Sequence, residues 1–489
     1  AGNTGVGVKS VEGHGNNGGN HWRVRGNGGE SDNNGTQTTV AGLSWTTGDI
    51  IGILLDLDDG SWKVSKNGTL VDTKIHTNIS GTVTPTMHNS NGSENHTFIT
   101  NFGQNPTFCG TEVAGTNTDS NGKGLFKYLP PSGYLALCTD NLPTPAIADP
   151  GKHFKTVLYD GDSTFSKSIN GVGFKPDLVW IKCRSHSKWG PFVDSMRGNH
   201  TTFYTNSSNA TNNEIHIPNF SSDGFVVSDI DSGTANEDGM TYVAWCWKAG
   251  GKAVTNTMGS VSSLVSTNQE AGFSIVKFTS QTTNNSITVG HGLGKKPAFW
   301  LWKDINGATG WYVYHQDMGS SAWLKFNNDV ATTSNAAAWG GTDPTDTVFT
   351  QGSGFVNQGD VMVYAWAEIE GYSRFGSYKG VSSDDGAFIN CGFKPAFVMI
   401  KSTTLQGSSW ILVDSSRDPV NPCTRKLFPS YSGEENVSSP SGATASTNHI
   451  DLLSNGFKCK SDNSWTNNSG NTYIFAAFAE SPFKTANAR

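Results

Sequence analysis

Three stretches far apart in this 489-residue chain have nearly the same sequence. They are residues 172–182, 293–303 and 391–401, which read VGFKPDLVWIK, LGKKPAFWLWK and CGFKPAFVMIK. In each stretch a glycine and a proline precede a run of apolar residues that ends in lysine. A short run of this kind, rich in branched and aromatic residues after a turn signal, is typical of a β-strand. A chain that repeats one strand in this way is expected to fold into several related units.

Each repeated strand is followed by the same order of features. A second aromatic strand comes next, then a variable polar region, a turn before Gly-Phe, and a closing apolar strand that reads TYVAWCWK, MVYAWAEI or YIFAAFAE. The repeats are about 100–120 residues apart. That spacing is too long for a solenoid unit and suits a small β-sandwich. The sequence therefore predicts three related β-sandwiches in tandem.

The repeated strands also carry signals about where they begin and how they are covered. Proline has no N–H to donate to a sheet, so we expect the proline of each repeat at the first residue of its strand. These prolines are Pro176, Pro297 and Pro395. In the first repeat, Leu178 and Trp180 would lie on one face and Val179 and Ile181 on the other. Because both faces are apolar, this strand is predicted to be central and covered on both sides.

Residues 48–70, which read GDIIGILLDLDDGSWKVSKNGTL, predict two β-hairpins. A strand-like alternation is followed by an Asp-Gly turn, a short aromatic strand and an Asn-Gly turn. The cluster of aspartates could also open a calcium loop. An EF-hand loop that starts at Asp56 would need glycine at the position of Ser61 and glutamate at the position of Asn67. We therefore expect a turn here and no metal.

The composition excludes several kinds of partner. Only 15% of the residues are charged, the net charge of −7 is mild for this length, and lysine and arginine are dispersed. Neither nucleic acid nor an anionic membrane is an expected partner. The chain has no apolar run long enough for membrane insertion. Its seven cysteines are far apart and lack metal-ligand spacing, so we expect free, buried thiols in a protein that folds in a reducing cytoplasm.

These patterns predict an all-β chain of tandem β-sandwich modules. The predicted segments are a leading sandwich at 1–108, a Pro/Gly-rich linker at 109–152, and three repeats at 153–251, 252–370 and 371–489.

The hairpins of residues 48–70 resemble the central hairpins of the SPRY domain, a β-sandwich interaction module. The resemblance covers residues 1–108 and includes the stretches TPTM and ITNFGQNPTF. The first strand of that family is missing here, and the chain opens with Ala1 and no methionine. We therefore expect a truncated SPRY-like sandwich in a fragment of a longer polypeptide.

The whole chain resembles the C-terminal parts of tail-fibre or related virion structural proteins of marine bacteriophages. The stretches PPSGYLALCTDNLP, EGYSRFGSYKG and AFAESPFKTANAR carry this resemblance together with the repeated strands. It implies a protein that is made in the host cytoplasm and carried on the tail or the particle surface. The partners it implies are other virion proteins, a host-surface glycan or envelope receptor, and further copies of the chain, with a trimer favoured.

The sequence contains no G-x-S-x-G elbow, P-loop or H-E-x-x-H motif, and its histidines are scattered. The most suggestive acid–base pairs are Asp194 with Arg197 and Asp414 with Arg417, in VDSMR and VDSSR. Chemistry needed at one site is rarely copied into two repeats, so we interpret both pairs as ion pairs that close a strand end. Two glutamates that end equivalent closing strands are interpreted as buried or edge-capping: Glu368 and Glu480. The sequence thus predicts neither an enzyme nor a cofactor.

Binding is favoured over catalysis because the chain is rich in tryptophan, asparagine, serine and threonine, which are suited to sugars. The variable polar loops 205–220, 327–344 and 429–449 are the expected recognition segments, since a rigid scaffold would present them. The candidate glycan-binding residues are Trp339, which its AAAWGG surroundings predict to be exposed, and Trp465 in DNSWTNN. The alternative for both is packing against a neighbouring module or subunit.

We therefore expect a tail-fibre or spike component that attaches to the host cell by binding glycans. One alternative is a purely architectural capsid or tail decoration protein. Another is an enzyme that depolymerises surface polysaccharide, which would need two carboxylates facing each other across a cleft.

Overall fold

The structure of the chain is a computed structural model, and it describes residues 4–10, 21–26, 30–33, 36–39, 43–71, 76–81, 83–89, 97–229, 234–280, 285–355, 359–435 and 450–486. These residues form antiparallel β-sheets, so the predicted all-β class is confirmed. The helices in them are short 3-10 turns at Thr139–Asn141, Pro150–Lys152, Ser353–Phe355 and Phe483–Thr485. None of the described helices is long and apolar enough to cross a membrane.

The chain divides into two compact units, Ala1–Thr144 and Pro145–Arg489, here called the N-terminal unit and the C-terminal unit. Residues 109–144, which the sequence predicts as linker, belong to the N-terminal unit. The buried carboxylate of Asp119 organises this stretch. It accepts hydrogen bonds from the backbone N–H groups of Asn121 (2.9 Å), Lys123 (2.8 Å) and Ala136 (2.8 Å). A loop whose backbone groups are bonded in this way can be compact without strands.

The described residues of the N-terminal unit form two antiparallel sheets. Its strands β1–β8 are Thr4–Ser10, His21–Arg25, Glu30–Asn33, Thr36–Thr39, Ile51–Asp56, Ser61–Lys66, Thr69–Leu70 and Val83–Asn89. One sheet has the order β4-β3-β2-β1-β8 and the other the order β5-β6-β7. Their buried apolar residues form one core, which consists of Trp22, Val24, Leu43, Trp45, Trp62, Val64 and Ile79.

The sheet β5-β6-β7 consists of the two hairpins that the sequence predicts in residues 48–70. At the first turn, Oδ1 of Asp56 accepts the backbone N–H groups of Asp58 (3.1 Å) and Asp59 (3.3 Å). This is the usual way in which an aspartate stabilises a turn. The carboxylate of Asp56 is therefore used to bend the chain.

The C-terminal unit contains the three repeats, here called module 1 (153–251), module 2 (252–370) and module 3 (371–489). The strands of module 1, β9–β16, are Phe154–Asp160, Lys167–Asn170, Leu178–Cys183, Pro191–Asp194, Phe203–Tyr204, Asn219–Ser221, Gly224–Val227 and Thr241–Trp247. The strands of module 2, β17–β26, are Val254–Asn256, Ser263–Asn268, Phe273–Thr279, Ile287–Gly290, Pro297–Asp304, Tyr312–His315, Ala322–Lys325, Thr333–Ser334, Val348–Gln351 and Asp360–Ala367. The strands of module 3, β27–β33, are Ser373–Lys379, Phe388–Asn390, Phe393–Ser402, Ile411–Asp414, Ile450–Leu453, Gly456–Cys459 and Thr472–Pro482.

The three modules share one strand order. Their large sheets contain the runs β9-β16-β11-β12-β13, β19-β26-β21-β22-β23 and β27-β33-β29-β30. In each run the repeated strand lies between the closing strand and the second aromatic strand. Each module also has a small sheet: β10-β15-β14, β20-β25 or β28-β32-β31. Module 2 differs because β17 and β18 extend its large sheet beyond β19.

The repeated strand of module 1 is buried on both faces, as predicted. Val179 and Ile181 pack with residues of the small sheet in a core that belongs to module 1 alone. Leu178 and Trp180 face the other way, into a core that all three modules share. The two apolar faces of the strand therefore pack in two different cores.

The shared core joins the three modules into one body. It contains buried residues from every module. Trp247, Trp366 and Phe478, which occupy the same position on the three closing strands, meet in it with ring centroids 5.7–6.4 Å apart. Burial of apolar surface here stabilises the association of the modules. The repeats predict three like sandwiches, but they do not predict this common core.

The prolines follow the prediction in one repeat only. Pro297 is the first residue of β21. Pro176 lies just before β11, and Pro395 lies inside β29. The pairing of β29 with β33 shifts register on both sides of Pro395. Such an irregularity accommodates a residue that has no N–H to donate.

Candidate functional site

The two predicted glycan-binding residues are both buried. Trp339 and Trp465 each expose only 1% of their surface. The indole N–H of Trp339 donates to the carbonyl oxygen of Ala322 (3.0 Å), and its indole packs edge-on against Trp300. Trp465 packs edge-on against Phe428. The prediction that Trp339 is exposed is wrong, because small neighbours in sequence say nothing about the distant aromatics that cover a side chain. Neither indole has a face available for a sugar.

A different tryptophan is exposed. All fifteen tryptophans lie in the described residues, and thirteen of them are buried. Trp323 is partly buried, whereas Trp189, just before β12, is 43% exposed. An exposed indole presents a flat apolar face and an N–H group to a ligand, which is why tryptophan is enriched at binding interfaces. We call Trp189 and the residues beneath it the Trp189 site.

The indole of Trp189 is held by the residues beneath it. It lies edge-on against Tyr204, with ring centroids 4.9 Å apart and an interplanar angle of 87°. The next residue, Gly190, donates its backbone N–H to Oδ1 of Asn206 (3.3 Å). Tyr204 is buried. The exposed indole of Trp189 therefore packs on the buried ring of Tyr204.

The hydroxyl of Tyr204 links this ring to two titratable side chains. It donates to the carboxylate of Glu214 and lies 2.6 Å from Nε2 of His216. The side chain of His216 is buried, and that of Glu214 is 33% exposed. Tyr204 thus lies between an exposed aromatic group and a partly exposed carboxylate. The site offers a flat apolar surface together with carboxylate and amide groups.

The two Asp–Arg pairs are ion pairs at strand ends, as interpreted from the sequence. Nε of Arg197 lies 2.5 Å from Oδ2 of Asp194, and Nε of Arg417 lies 2.6 Å from Oδ2 of Asp414. Both aspartates are fully buried. Burial opposes the charge of each arginine, but the adjacent aspartate raises its pKa, so both arginines stay ionised.

Each aspartate of these pairs also binds a second module. Oδ2 of Asp194 accepts the hydroxyl of Tyr364 in module 2 (2.6 Å). Oδ2 of Asp414 accepts the indole N–H of Trp245 in module 1 (3.2 Å). These carboxylates are saturated with hydrogen bonds inside the protein. They serve to join modules and face no substrate.

The two glutamates differ from each other. Oε1 of Glu368 pairs with Arg374 (2.6 Å), and Oε2 accepts the backbone N–H of Phe375 (3.2 Å) on β27. This is the expected edge-capping role, since β27 is the edge strand of its sheet. Glu480 pairs with Lys394 (2.7 Å) near the surface.

The predicted recognition loops are used in part to bind neighbouring modules. From each loop a backbone N–H group donates to a carbonyl oxygen of another module: Thr211 to Ile305, Thr332 to Thr403, and Glu435 to Arg184, at 2.8–3.0 Å. Residues 436–449 of the third loop lie outside the described residues. The Trp189 site borders the first loop, which supplies Asn206, Glu214 and His216.

A cavity of about 20 Å³ lies in the shared core. It has room for about one water molecule. Its lining is apolar and comes from all three modules: Trp180, Phe192, Trp247, Phe299, Leu301, Phe326, Trp366, Phe397, Met399, Ala476 and Phe478. A cavity without polar partners stays dry, so it is neither a substrate pocket nor a water site.

The described residues contain no group of three histidine, cysteine, aspartate or glutamate side chains placed to hold a metal ion. The seven cysteines are free, as predicted. Five of them are buried, but Cys109 is exposed and Cys138 is partly so. Burial raises the pKa of the Cys459 thiol to about 12. Such a thiol is unreactive at neutral pH.

A search of curated proteins and a search of solved structures give no match to this chain. The sequence profile of one family, described as a domain of unknown function (DUF7483), matches residues 149–482. This match spans all three modules and most of the C-terminal unit. The chain therefore belongs to the DUF7483 family.

Proposed function

We propose that the chain is a non-catalytic component of a bacteriophage particle that attaches to a glycan of the host cell surface through the Trp189 site. The virion assignment is supported by the sequence resemblance to tail-fibre proteins. The assignment of the site is supported by one observation above all, which is that Trp189 is the most exposed of fifteen tryptophans. On the particle, the partners would be other virion proteins and further copies of the chain.

The chemistry of the Trp189 site suits a sugar. The apolar C–H face of a pyranose stacks on an exposed indole, while its hydroxyl groups bond to carboxylates and amides. Trp189 supplies the indole, Glu214 accepts the hydroxyl of Tyr204 beneath it, and Asn206 accepts the N–H of Gly190. Because Tyr204 already holds the indole in place, little side-chain freedom is lost when a ligand binds.

A single shallow contact of this kind binds weakly. Several copies on one particle raise the avidity by orders of magnitude when they can engage at the same time. Adhesion of this kind needs no deep pocket, which agrees with a site formed by one exposed indole and its polar border.

The experiment is a binding measurement on purified protein. The protein is screened on an array of bacterial surface polysaccharides and neutral oligosaccharides, and affinity for the strongest ligand is measured for variants. We expect Trp189→Ala to weaken binding about tenfold or more, as for a central aromatic contact. The affinity of Trp189→Phe should lie between those of the wild type and Trp189→Ala. The matched control is Phe165→Ala, because Phe165 is an exposed aromatic of the same module, 67% exposed.

Equal binding by wild type and Trp189→Ala would exclude the Trp189 site. Release of new reducing ends from the bound polysaccharide would favour the depolymerase. Absence of binding to any glycan would favour an architectural role.

A further inference from the structure

The three modules contact one another through residues at matching positions. The residue before the last in each repeated strand is a fully buried lysine, Lys182, Lys303 or Lys401. Each lysine pairs with the same position of its closing strand: Val243, Met362 or Ile474. Each ammonium group donates to a carbonyl oxygen in the loop of another module: Lys303 to Ser208 (3.4 Å), Lys401 to Asp329 (3.5 Å) and Lys182 to Tyr431 (2.6 Å).

A second set of matching contacts comes from the end of the second aromatic strand. Asp194, His315 and Asp414 occupy one position there, each opposite an equivalent residue of the repeated strand. Each contacts the closing strand of another module. Asp194 accepts from Tyr364, Asp414 accepts from Trp245, and Nε2 of His315 donates to the carbonyl oxygen of Phe475 (3.2 Å).

The backbone bonds that leave the three polar loops form a third matching set. They end on Ile305, Thr403 and Arg184. Each of these acceptors lies two positions after the buried lysine of its module. The same main-chain geometry therefore occurs at three joints.

All three sets run in the same direction. The loop and the strand end of module 1 contact module 2. Those of module 2 contact module 3, and those of module 3 contact module 1. The contacts thus close into a cycle. Peptide segments connect modules 1 and 2 and modules 2 and 3, but module 3 reaches module 1 through non-covalent contacts.

The joint between module 3 and module 1 has an ionic network of its own. Glu435 of module 3 pairs with Nε (2.8 Å) and Nη2 (3.2 Å) of Arg184 in module 1. Its Oε1 also lies 3.2 Å from Nη1 of the buried Arg417. At the other two joints Trp311 and Trp410 donate an indole N–H to a carbonyl oxygen of the preceding module, and Gly190 stands at that position in module 1. The ionic network occurs at the joint that lacks both this tryptophan and a peptide connection.

We infer that the surface of module 1 around Lys182 and Arg184 is a complete binding surface whose partner is another module of the same repeat, so that the C-terminal unit is a trimer of modules fused in one chain. Interfaces of this head-to-tail kind close into a cycle when the rotation between partners suits the number of subunits. Here the peptide connections order the modules along the chain, and the joints hold them together.

The experiment asks whether the modules stay associated after the full chain has been cleaved between them. A protease site is inserted after Gly251, in the exposed segment between modules 1 and 2, and the folded protein is cleaved there. We expect the fragments 1–251 and 252–489 to co-elute in size-exclusion chromatography at neutral pH and nanomolar concentration. Separation of the fragments would overturn the inference. If the insertion prevents folding, a site after the exposed Glu370 cuts between modules 2 and 3 and is read in the same way.

A variant in the cut chain tests the particular joint. Glu435→Gln removes the charge shared by Arg184 and Arg417, and we expect it to speed dissociation of the cleaved fragments by about tenfold or more. For the cut after Gly251, the matched control is Glu368→Gln, which removes a more exposed ion pair inside the fragment 252–489 and should leave the dissociation rate unchanged. Equal rates in both variants would overturn the role of this joint.

Discussion

At the scale of single residues, the most informative groups are basic side chains buried where modules meet. Burial lowers the pKa of Lys182 to about 7, of Lys303 to about 8 and of Lys401 to about 7. Burial also lowers the pKa of His315 to about 4. Nδ1 of His315 accepts the backbone N–H of Asp317 (3.1 Å) while Nε2 donates to Phe475. His315 is therefore neutral, with its proton on Nε2.

His315 contributes to the pH dependence of stability. The pKa of its imidazole is about 4 in the folded chain against the ordinary 6.5. Between these values the unfolded chain binds a proton that the folded chain excludes. The contribution of His315 to stability is therefore lost as the pH falls through this window, by about 3 kcal/mol. In His315→Asn, which keeps a donor for Phe475, we expect a shallower dependence of the unfolding free energy on pH between 4 and 6.5.

Urea unfolding at a series of pH values measures this slope. The exposed His200 supplies the control, since His200→Asn should leave the slope unchanged. A slope in His315→Asn equal to that of the wild type would show that His315 is not the group responsible.

At the scale of elements, the ends of the second aromatic strands matter because charges are buried there. The Arg197 guanidinium neutralises Asp194, donates to the carbonyl oxygen of Phe192 (2.9 Å) and lies over Phe203, 3.7 Å from its centroid. No water can replace these contacts at a fully buried carboxylate. The strand end is therefore sensitive to loss of either partner.

Arg197→Met should lower the free energy of unfolding by about 3–5 kcal/mol, because it leaves the carboxylate of Asp194 buried without its counter-charge. The control is Arg374→Met in the more exposed pair with Glu368, for which we expect a loss of at most about 1 kcal/mol. Denaturant titration of the two variants gives both values. Losses of similar size would contradict the importance of burial here.

Some of these elements could be predicted from the sequence, and others could not. Apolar runs and turn signals predict the hairpins at 48–70 and the doubly covered strand at 178–183, because local pattern determines them. They do not predict that Trp339 is buried or Trp189 exposed, since contacts between distant segments decide both. One signal of the joints was present in the sequence. A lysine follows the apolar run of each repeated strand, and a charge in such a place requires a partner beyond its own sheet.

At the scale of the whole molecule, the two units are expected to behave differently on truncation. The core of the C-terminal unit is shared by three modules, so removal of one module exposes apolar surface of the other two. We expect 145–489 to keep the unfolding midpoint that this unit has in the full chain. We expect 1–370 to lose cooperative unfolding in its modules 1 and 2 and to aggregate.

Differential scanning calorimetry of both truncated chains tests this expectation. A cooperative transition of modules 1 and 2 in 1–370 would show that these two modules are stable without module 3. The resemblance of residues 1–108 to the SPRY domain stays a prediction.

The small dry cavity in the shared core has a consequence for how this sequence can change. Trp180, Leu301 and Met399 occupy the same position in three modules, and all three line the cavity. Three identical chains would have to place three copies of one side chain there, too bulky as tryptophan or too small as leucine. In one fused chain, the residue at each of the three positions can be substituted independently. Substitutions at these positions should therefore compensate one another in volume, as a larger residue in one module permits a smaller one in the next.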